Sequence, residues 1–401
     1  MALQWFRGRW AYTQLHSDDA ISVASLSKHR PFLSTVLTSK PLRLAAVSAL
    51  ALLSWAAAHH SWGQLAVIPS SSPTPQDDKP SIDLSIDWSQ FAYTQYVTDK
   101  NYLCNSVMFF ERLQHFHSKA DRVLMYPSNM LVDPGVDLHD VTSDNVKLLI
   151  LARDKYNVKL VPISIQHRAG ADPTWADSFT KLLAFNQTRY GRVLSIDSDT
   201  TLLNHMDELF SLPPTPVAMP RAYWLYPDQE ILSSQVMLVQ PSQVEFSRIT
   251  SKIDNAGRND YDMEIVNQLY KDSAMILPHR PYDLLTAEFG NDSHQWYLGS
   301  DQESWDPVAI YNEAKLVHFS DWPLPKPWLE SPAHLVQERE PKCVKVNGVE
   351  NCAARDIWQG IYQDFRERRK SATQLRRTHR RMPPAAGGHG GDEDGPTSAL
   401  P

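Results

Sequence analysis

The sequence predicts an α/β domain on an open, mostly parallel sheet with flanking helices, preceded by a single N-terminal membrane anchor. Three observations carry this expectation. Short β-rich runs alternate with helical patterns between residues 91 and 199, an uncharged stretch follows a basic leader, and Asp197-Ser198-Asp199 closes a strand-like apolar run. Alternation of this kind is the mark of βαβ units and a parallel sheet.

Residues 1–43 form a basic leader, with Arg7, Arg9, Lys28, Arg30, Lys40 and Arg43 against only Asp18 and Asp19. Leu44–Ala58 then carries no charge, and no Lys or Arg follows until Lys79. A helical bilayer span needs about 20 apolar residues. The signal-anchor is therefore expected over 44–68, with Trp55, His59, His60 and Trp62 at the interface. The basic flank stays cytosolic, which puts the bulk of the chain in a lumen. A signal peptide cleaved near Ala56-Ala57-Ala58 and a buried core helix are the alternatives. Residues 69–88, rich in Ser, Pro and Asp, cannot build a core and read as a flexible stem.

A globular domain is expected over 89–365. Its strands are expected at 91–98, 122–126, 159–164 and 192–196, and its helices at 103–116, 145–156 and 176–186. Leu103, Val107, Phe110 and Leu113 fall on one face of the first helix. From residue 366 to 401 a disordered tail is expected, first basic (Arg366, Arg368, Arg369, Lys370) and then Gly-rich and acidic. The formal net charge of -7 gives no reason to expect nucleic acid as a partner.

Cys343 and Cys352 stand symmetrically about Asn347-Gly348, a strong signal for a two-residue hairpin turn. Counting outward, Val346 faces Val349, Lys345 faces Glu350, and the two cysteines face each other at a non-hydrogen-bonded position, where a disulfide fits. Two reduced thiols are the alternative. Such a bridge belongs to an oxidising compartment and leaves Cys104 outside it, buried.

Ligands of open sheets collect beyond the carboxyl ends of the strands, where Thr98 and Asp197 fall. Along an extended backbone Asp197 and Asp199 project to one side while Ser198 projects to the other. Two carboxylates there repel each other and are costly to desolvate unless a cation or donors neutralise them. A divalent metal bridging a diphosphate does this, which points to a nucleotide-sugar site; a solvated acidic turn is the plainer reading.

Several further motifs occur in order. They are Thr98-Asp-Lys-Asn-Tyr102, Phe179-Thr-Lys181-Leu, Tyr190 through Asp199 with Met206-Asp-Glu-Leu-Phe210, Tyr261-Asp-Met-Glu-Ile-Val-Asn267, and His318 through Lys326-Pro-Trp328. Together they resemble glycosyltransferase family 8, to which glycogenin belongs, and are most similar to its fungal Golgi α-N-acetylglucosaminyltransferase branch. The resemblance implies a GT-A fold, a UDP-sugar donor, a Mn²⁺ cofactor and retention of anomeric configuration. It also implies a single-pass Golgi membrane protein with a cytosolic N-terminus and a lumenal catalytic domain.

Carried over by resemblance, Asp197, Asp199 and His318 hold the metal, a mixed set that suits Mn²⁺. Lys326 neutralises the departing β-phosphate and Tyr102 stacks on uracil. Thr98 and Lys181 contact the donor. Ser233, Ser234 and Gln235 lie under the sugar, and Asp262 stands near the anomeric carbon. Two departures are visible. Met263 replaces the family's glutamine, and the loop from His318 to Lys326 is longer than the family's, with Asp321, Pro323 and Pro325 in it.

The leading expectation is a lumenal, Mn²⁺-dependent retaining transferase that moves N-acetylglucosamine from a UDP-sugar to a glycan or glycoprotein. A UDP-glucose-using, glycogenin-like transferase and a catalytically silent glycan-binding or scaffold protein are the alternatives. Trp224, Trp296 and Trp322 are candidate glycan contacts.

Overall fold

The computed structural model describes residues 86–130, 143–168 and 175–378. The expected leader, the anchor at 44–68 and the stem up to residue 85 lie outside the described residues. Among the described residues no helix is long and apolar enough to cross a membrane.

Four parallel strands form first: β1 (Phe91–Tyr96), β2 (Asp121–Pro127), β3 (Val158–Ile163) and β4 (Arg192–Ile196). β1 stops two residues earlier than its β-rich run. β5 (Thr200–Leu202) follows, then β6 (Val217–Pro220), β7 (Val236–Val239) and β8 (Met275–Leu277). Two short strands complete the set, β9 (Leu284–Leu285) and β10 (Leu316–His318). The main sheet has the order β3-β2-β1-β4-β7-β6-β8, in which β7 alone is reversed. Pro162, which has no N–H for a ladder, sits on edge strand β3. A second sheet has β10 between β5, antiparallel, and β9, parallel.

Alternation along the strands divides the core between the two faces of the sheet. Tyr93, Leu194 and Ile196 point into the cluster that includes α1 (Lys100–His115) and α2 (Asp144–Tyr156). Ala92 and Val193 point to the other face, against Ile249 of α3 (Gln243–Asp254) and Ile265 of α4 (Asp262–Tyr270). The Asp99 carboxylate caps α1, accepting from the Asn101 and Tyr102 N–H groups at 2.6 and 3.1 Å. Leu103, Val107, Phe110 and Leu113 are all buried, as their spacing predicts.

Two expected elements are corrected. Residues Ser178–Asn186 wind as a 3₁₀ helix rather than an α-helix. With three residues per turn, i and i+3 side chains align. Phe179, Leu182 and Phe185 thus form one buried apolar row, while Ser178 and Lys181 form a polar row turned to Asp262. The tail is corrected as well, because helix α5 (Ala353–Thr378) runs well past the expected boundary at 365. Trp358, Ile361, Tyr362 and Phe365 repeat at helical spacing and are buried. Beyond them Arg368 donates to Thr201 Oγ1 at 2.6 Å and Arg369 to the Asn101 carbonyl at 2.9 Å. A basic run suggests a solvated tail, but long arginine stems also lie along a protein surface.

Strands β11 (Val344–Val346) and β12 (Val349–Asn351) pair in the expected register around Asn347 and Gly348, whose φ values are 51° and 81°. The Cys343–Cys352 disulfide is formed, with α-carbons 4.3 Å apart, and Cys104 is buried.

Asp207, within the Met206–Phe210 motif, has a structural task. Its carboxylate accepts from Tyr93 Oη, Ser118 Oγ and the Lys119 N–H, each at 2.8 Å. Tyr93 Oη accepts in turn from the Met206 N–H at 2.7 Å. An Asp207→Ala substitution strands these donors inside the fold and is expected to cost on the order of 3 kcal/mol. Urea unfolding of the two proteins checks this, and a midpoint unchanged by the substitution would refute it.

Candidate active site

The site gathers where β4 ends. After Ile196 the chain turns, with Thr200 Oγ1 donating to the Asp197 carbonyl at 2.7 Å. The Asp197 N–H donates to the Gln235 carbonyl across the β4–β7 pair at 3.1 Å, and Gln95 Nε2 donates to the Asp197 carbonyl at 3.3 Å. Pairing of β10 with β5 sets His318 opposite Thr200. This brings His318 Nε2 to 3.2 Å from Asp199 Oδ1.

Lys326 reaches the same carboxylate in spite of its longer loop, with Nζ 2.8 Å from Asp199 Oδ2, and it also donates to the Phe319 carbonyl. The extra acidic residue of that loop explains how. Asp321 is buried and accepts from Thr286 Oγ1, from Trp358 Nε1 at 3.2 Å and from Tyr362 Oη at 2.8 Å. It ties the loop to α5, while Phe319 packs on Tyr362 and Phe365 with ring centroids 5.1 and 4.9 Å apart.

Lys181 binds the other half of the site. Its ammonium donates to Asp262 Oδ2 at 2.7 Å, to Asp197 Oδ2 at 3.0 Å and to the Ser234 carbonyl at 3.2 Å. Ser234 Oγ adds a 2.8 Å bond to Asp262 Oδ2. Burial alone would lower the lysine, but Asp197 and Asp262 hold it well above the usual range. Burial would raise Asp262, and Lys181 outweighs it and keeps that carboxyl low.

The two acids of the Asp-x-Asp are driven apart. Burial pushes Asp197 up against the pull of Lys181. Burial would do the same to Asp199, but His318 and Lys326 hold it well below the usual carboxylate range.

Ligand atoms of Asp197, Asp199 and His318 all lie within 4.8 Å of one another. His318 Nδ1 is buried without a hydrogen bond, and Asp197 Oδ1 is buried with the Lys181 ammonium 2.8 Å away. Two carboxylates and one imidazole, with their ligand atoms this close, fit a divalent cation with open coordination positions.

Of the remaining predicted residues, Tyr102 packs edge-on against Trp328, with centroids 5.5 Å apart. Burial, with a contribution from Asp199, pushes its phenol up. Ser233 and Ser234 are buried, and Gln235 Oε1 is buried without a partner. Thr98 lies half-buried between β1 and α1, and among the described residues no hydrogen bond ties it to the cluster. The motifs missed Gln95 and Tyr96, the end of the strand beside β4. Tyr96 lies within electrostatic reach of Lys181, Asp197, Asp262 and Asp199, and burial pushes it far up. Its position at a carboxyl end, one strand from Asp197, was the available signal.

An open sheet with one reversed strand beside β4, a small second sheet supplying a histidine, and a paired-acid site together form the α/β arrangement that the family resemblance implies. No protein-family model matches the chain. A glucose N-acetyltransferase 1 of Gibberella zeae is 60% identical over 291 residues, which are 71% of this chain and 63% of that protein. The glucose N-acetyltransferase 1 of Aspergillus fumigatus is 46% identical over 327 residues, 78% of this chain and 83% of that protein. Among solved structures, the galactosyltransferase LgtC with donor and acceptor sugar analogues aligns at a TM-score of 0.45 and 13% identity, over 70% of this chain and 95% of that one. The chain belongs to the glucose N-acetyltransferase 1 family. Both relatives are fungal, in line with the branch that the sequence resembles.

Helix α4 carries Asp262 in its first turn, and Glu264 reaches back to accept from the Tyr261 N–H at 2.8 Å. Burial raises Glu264 to about 7, against the lowering by that hydrogen bond. A carboxyl raised on folding stabilises fully below its unfolded value, and that contribution is lost as pH rises towards the folded one. Glu264→Gln should therefore be more stable than the wild type at pH 8 by about 1–2 kcal/mol, discounted for the carboxyl's partial exposure. The gap should close by pH 4.5. Thermal melts at both pH values check this, and a gap of the same size at each would refute it.

Proposed function

We propose that this chain transfers N-acetylglucosamine from UDP-N-acetylglucosamine to a glycan or glycoprotein acceptor, with retention of configuration and with Mn²⁺ held by Asp197, Asp199 and His318. The observation that carries the reading is the convergence of those three side chains at the end of β4, flanked by Lys326 and Lys181. The names of the relatives support an N-acetyl sugar as the transferred group. The disulfide supports a lumenal compartment, and the basic leader with the apolar segment at 44–68 supports a Golgi membrane anchor.

When bound, the cation supplies charge neutralisation to the donor diphosphate. The chain's own residues do the rest. Lys326, on a loop anchored by Asp321, places an ammonium where the departing phosphate gains charge, the largest electrostatic contribution available here. Asp262, kept ionised by Lys181, stands where positive charge develops on the sugar. Tyr102 offers the uracil a flat ring braced by Trp328. Gln235 Oε1, an acceptor without a partner, suits a sugar hydroxyl. Ser234 is committed to Asp262 and orients it. Attack from the same face lets the leaving diphosphate oxygen take the acceptor proton, so no separate base is required. Trp322, 51% exposed on the loop between His318 and Lys326, presents a surface on which an acceptor sugar can stack.

The test is UDP release by the full chain with Mn²⁺ from UDP-N-acetylglucosamine, UDP-glucose and UDP-galactose. Release from the first donor, abolished in Asp199→Ala, is expected; preference for UDP-glucose would replace the donor assignment. Calorimetric UDP binding that is absent, or indifferent to Mn²⁺, would sink the metal-dependent reading. Lys326→Ala is expected to lower kcat by about 10²–10³-fold with a smaller change in KM. A change in KM alone would show that Lys326 only binds the donor.

A further inference from the structure

Asp283 joins a short helical turn (His279–Tyr282) to β9, and its N–H donates to the His279 carbonyl at 2.7 Å. Its side chain is 0% exposed, and neither carboxylate oxygen makes a hydrogen bond. The Ser233 hydroxyl faces it but falls short of hydrogen-bond geometry, and the charges that bear on it are His318, Asp197 and Lys181. No role in donor or acceptor binding accounts for a carboxyl sealed from solvent in this way.

His318 has the complementary vacancy. Its Nε2 faces Asp199, while Nδ1 is buried without a partner. The sheet puts the two residues together. β10 and β9 are parallel, with His318 opposite Leu285. Asp283 immediately precedes β9, whose Leu284 and Leu285 pair with Val317 and His318 of β10, so the carboxyl enters the interior beside the strand that carries His318. A buried group left unpaired costs about 1–3 kcal/mol. Here a donor and an acceptor, both buried and unpaired, lie on neighbouring segments, and His318 is foremost among the charges that bear on Asp283; a buried water can join two such groups.

We propose that Asp283 is the positioning residue of His318: through one buried water its carboxylate holds the Nδ1 proton and so fixes the tautomer that leaves the Nε2 lone pair for a divalent cation. This rests on the reading of Asp197, Asp199 and His318 as a cation site. An imidazole ligand whose other nitrogen is held by a carboxylate keeps its ring orientation and gains basicity. Asp283 touches neither the cation nor the substrates in this arrangement.

The test measures Mn²⁺ affinity of the full chain by electron paramagnetic resonance, without donor, for the wild type, Asp283→Leu, Asp283→Asn and Asp199→Ala. Asp283→Leu is expected to bind Mn²⁺ about 10–100-fold more weakly. Its metal-free melting temperature should not fall, since a buried unpaired carboxyl has been removed. In the protein loaded with diamagnetic Cd²⁺, the His318 Nδ1 proton should give a protected downfield resonance. That signal should move in Asp283→Asn and disappear in Asp283→Leu. Wild-type affinity in Asp283→Leu, beside lost affinity in Asp199→Ala, would overturn the proposal and leave the cation site standing. If Asp283→Leu does not fold, Asp283→Asn decides, because an unmoved resonance there would overturn the proposal as well. Absence of Mn²⁺ binding by the wild type would instead remove the reading beneath it.

Discussion

The site depends on one buried ammonium. Lys181 comes from the 3₁₀ helix, Asp197 from the end of β4, Asp262 from the start of α4 and the Ser234 carbonyl from the approach to β7. These segments are far apart in sequence and meet at a single Nζ. Removing one partner from a buried pair typically costs about 3–5 kcal/mol, because the remaining charge stays in a poor solvent. A lysine suits this place better than an arginine. Its compact charge carries three donors that diverge, as three acceptors from different elements require, whereas a planar guanidinium favours one bidentate partner.

Two lysines serve the acidic cluster, and exposure separates their tasks. The Lys181 side chain is 5% exposed and Lys326 is 33% exposed. The first is locked between carboxylates that also define the ends of β4 and α4, so it holds the shape. The second contacts Asp199 from the solvent side, with a third of its side chain exposed. The charges are arranged accordingly. Asp197 is the acid paired with the buried Lys181, and burial pushes it up, while His318 and Lys326 hold Asp199 low.

What could be read from the sequence follows from how local each signal is. The strands around Tyr93 and Leu194, the buried row of α1 and the hairpin at Asn347-Gly348 rest on periodicity and turn chemistry within a few residues. Asp197 and Asp199 declare themselves because two acids at the end of an apolar run conflict with burial. The residues that escaped are defined by distant partners. Gln95 and Tyr96 matter because β1 lies beside β4, and Asp283 because β9 lies beside β10, facts of pairing that no local pattern carries. Composition misled at Arg366–Lys370, where a basic run lies within a helix that continues to Thr378 and whose apolar face is buried just before it.

The longer loop between His318 and Lys326 shows how a departure from a family pattern can preserve its geometry. Lengthening a loop costs little, since closure entropy grows only with the logarithm of length. The difficulty is to keep a lysine in one place at the end of a longer tether. Asp321 resolves it by replacing tether length with an anchor, accepting three hydrogen bonds, two of them from α5. Each is worth about 1 kcal/mol or more when the acceptor is charged, well above the added entropy of a few loop residues. The anchor exists only if α5 presents Trp358 and Tyr362, and α5 stays in place partly through Arg368 and Arg369 on β5 and α1. The loop and the terminal helix are therefore one device. A chain with the same acids but without that helix would carry Lys326 on an untethered segment, and its position beside Asp199 would be lost before any catalytic group was touched.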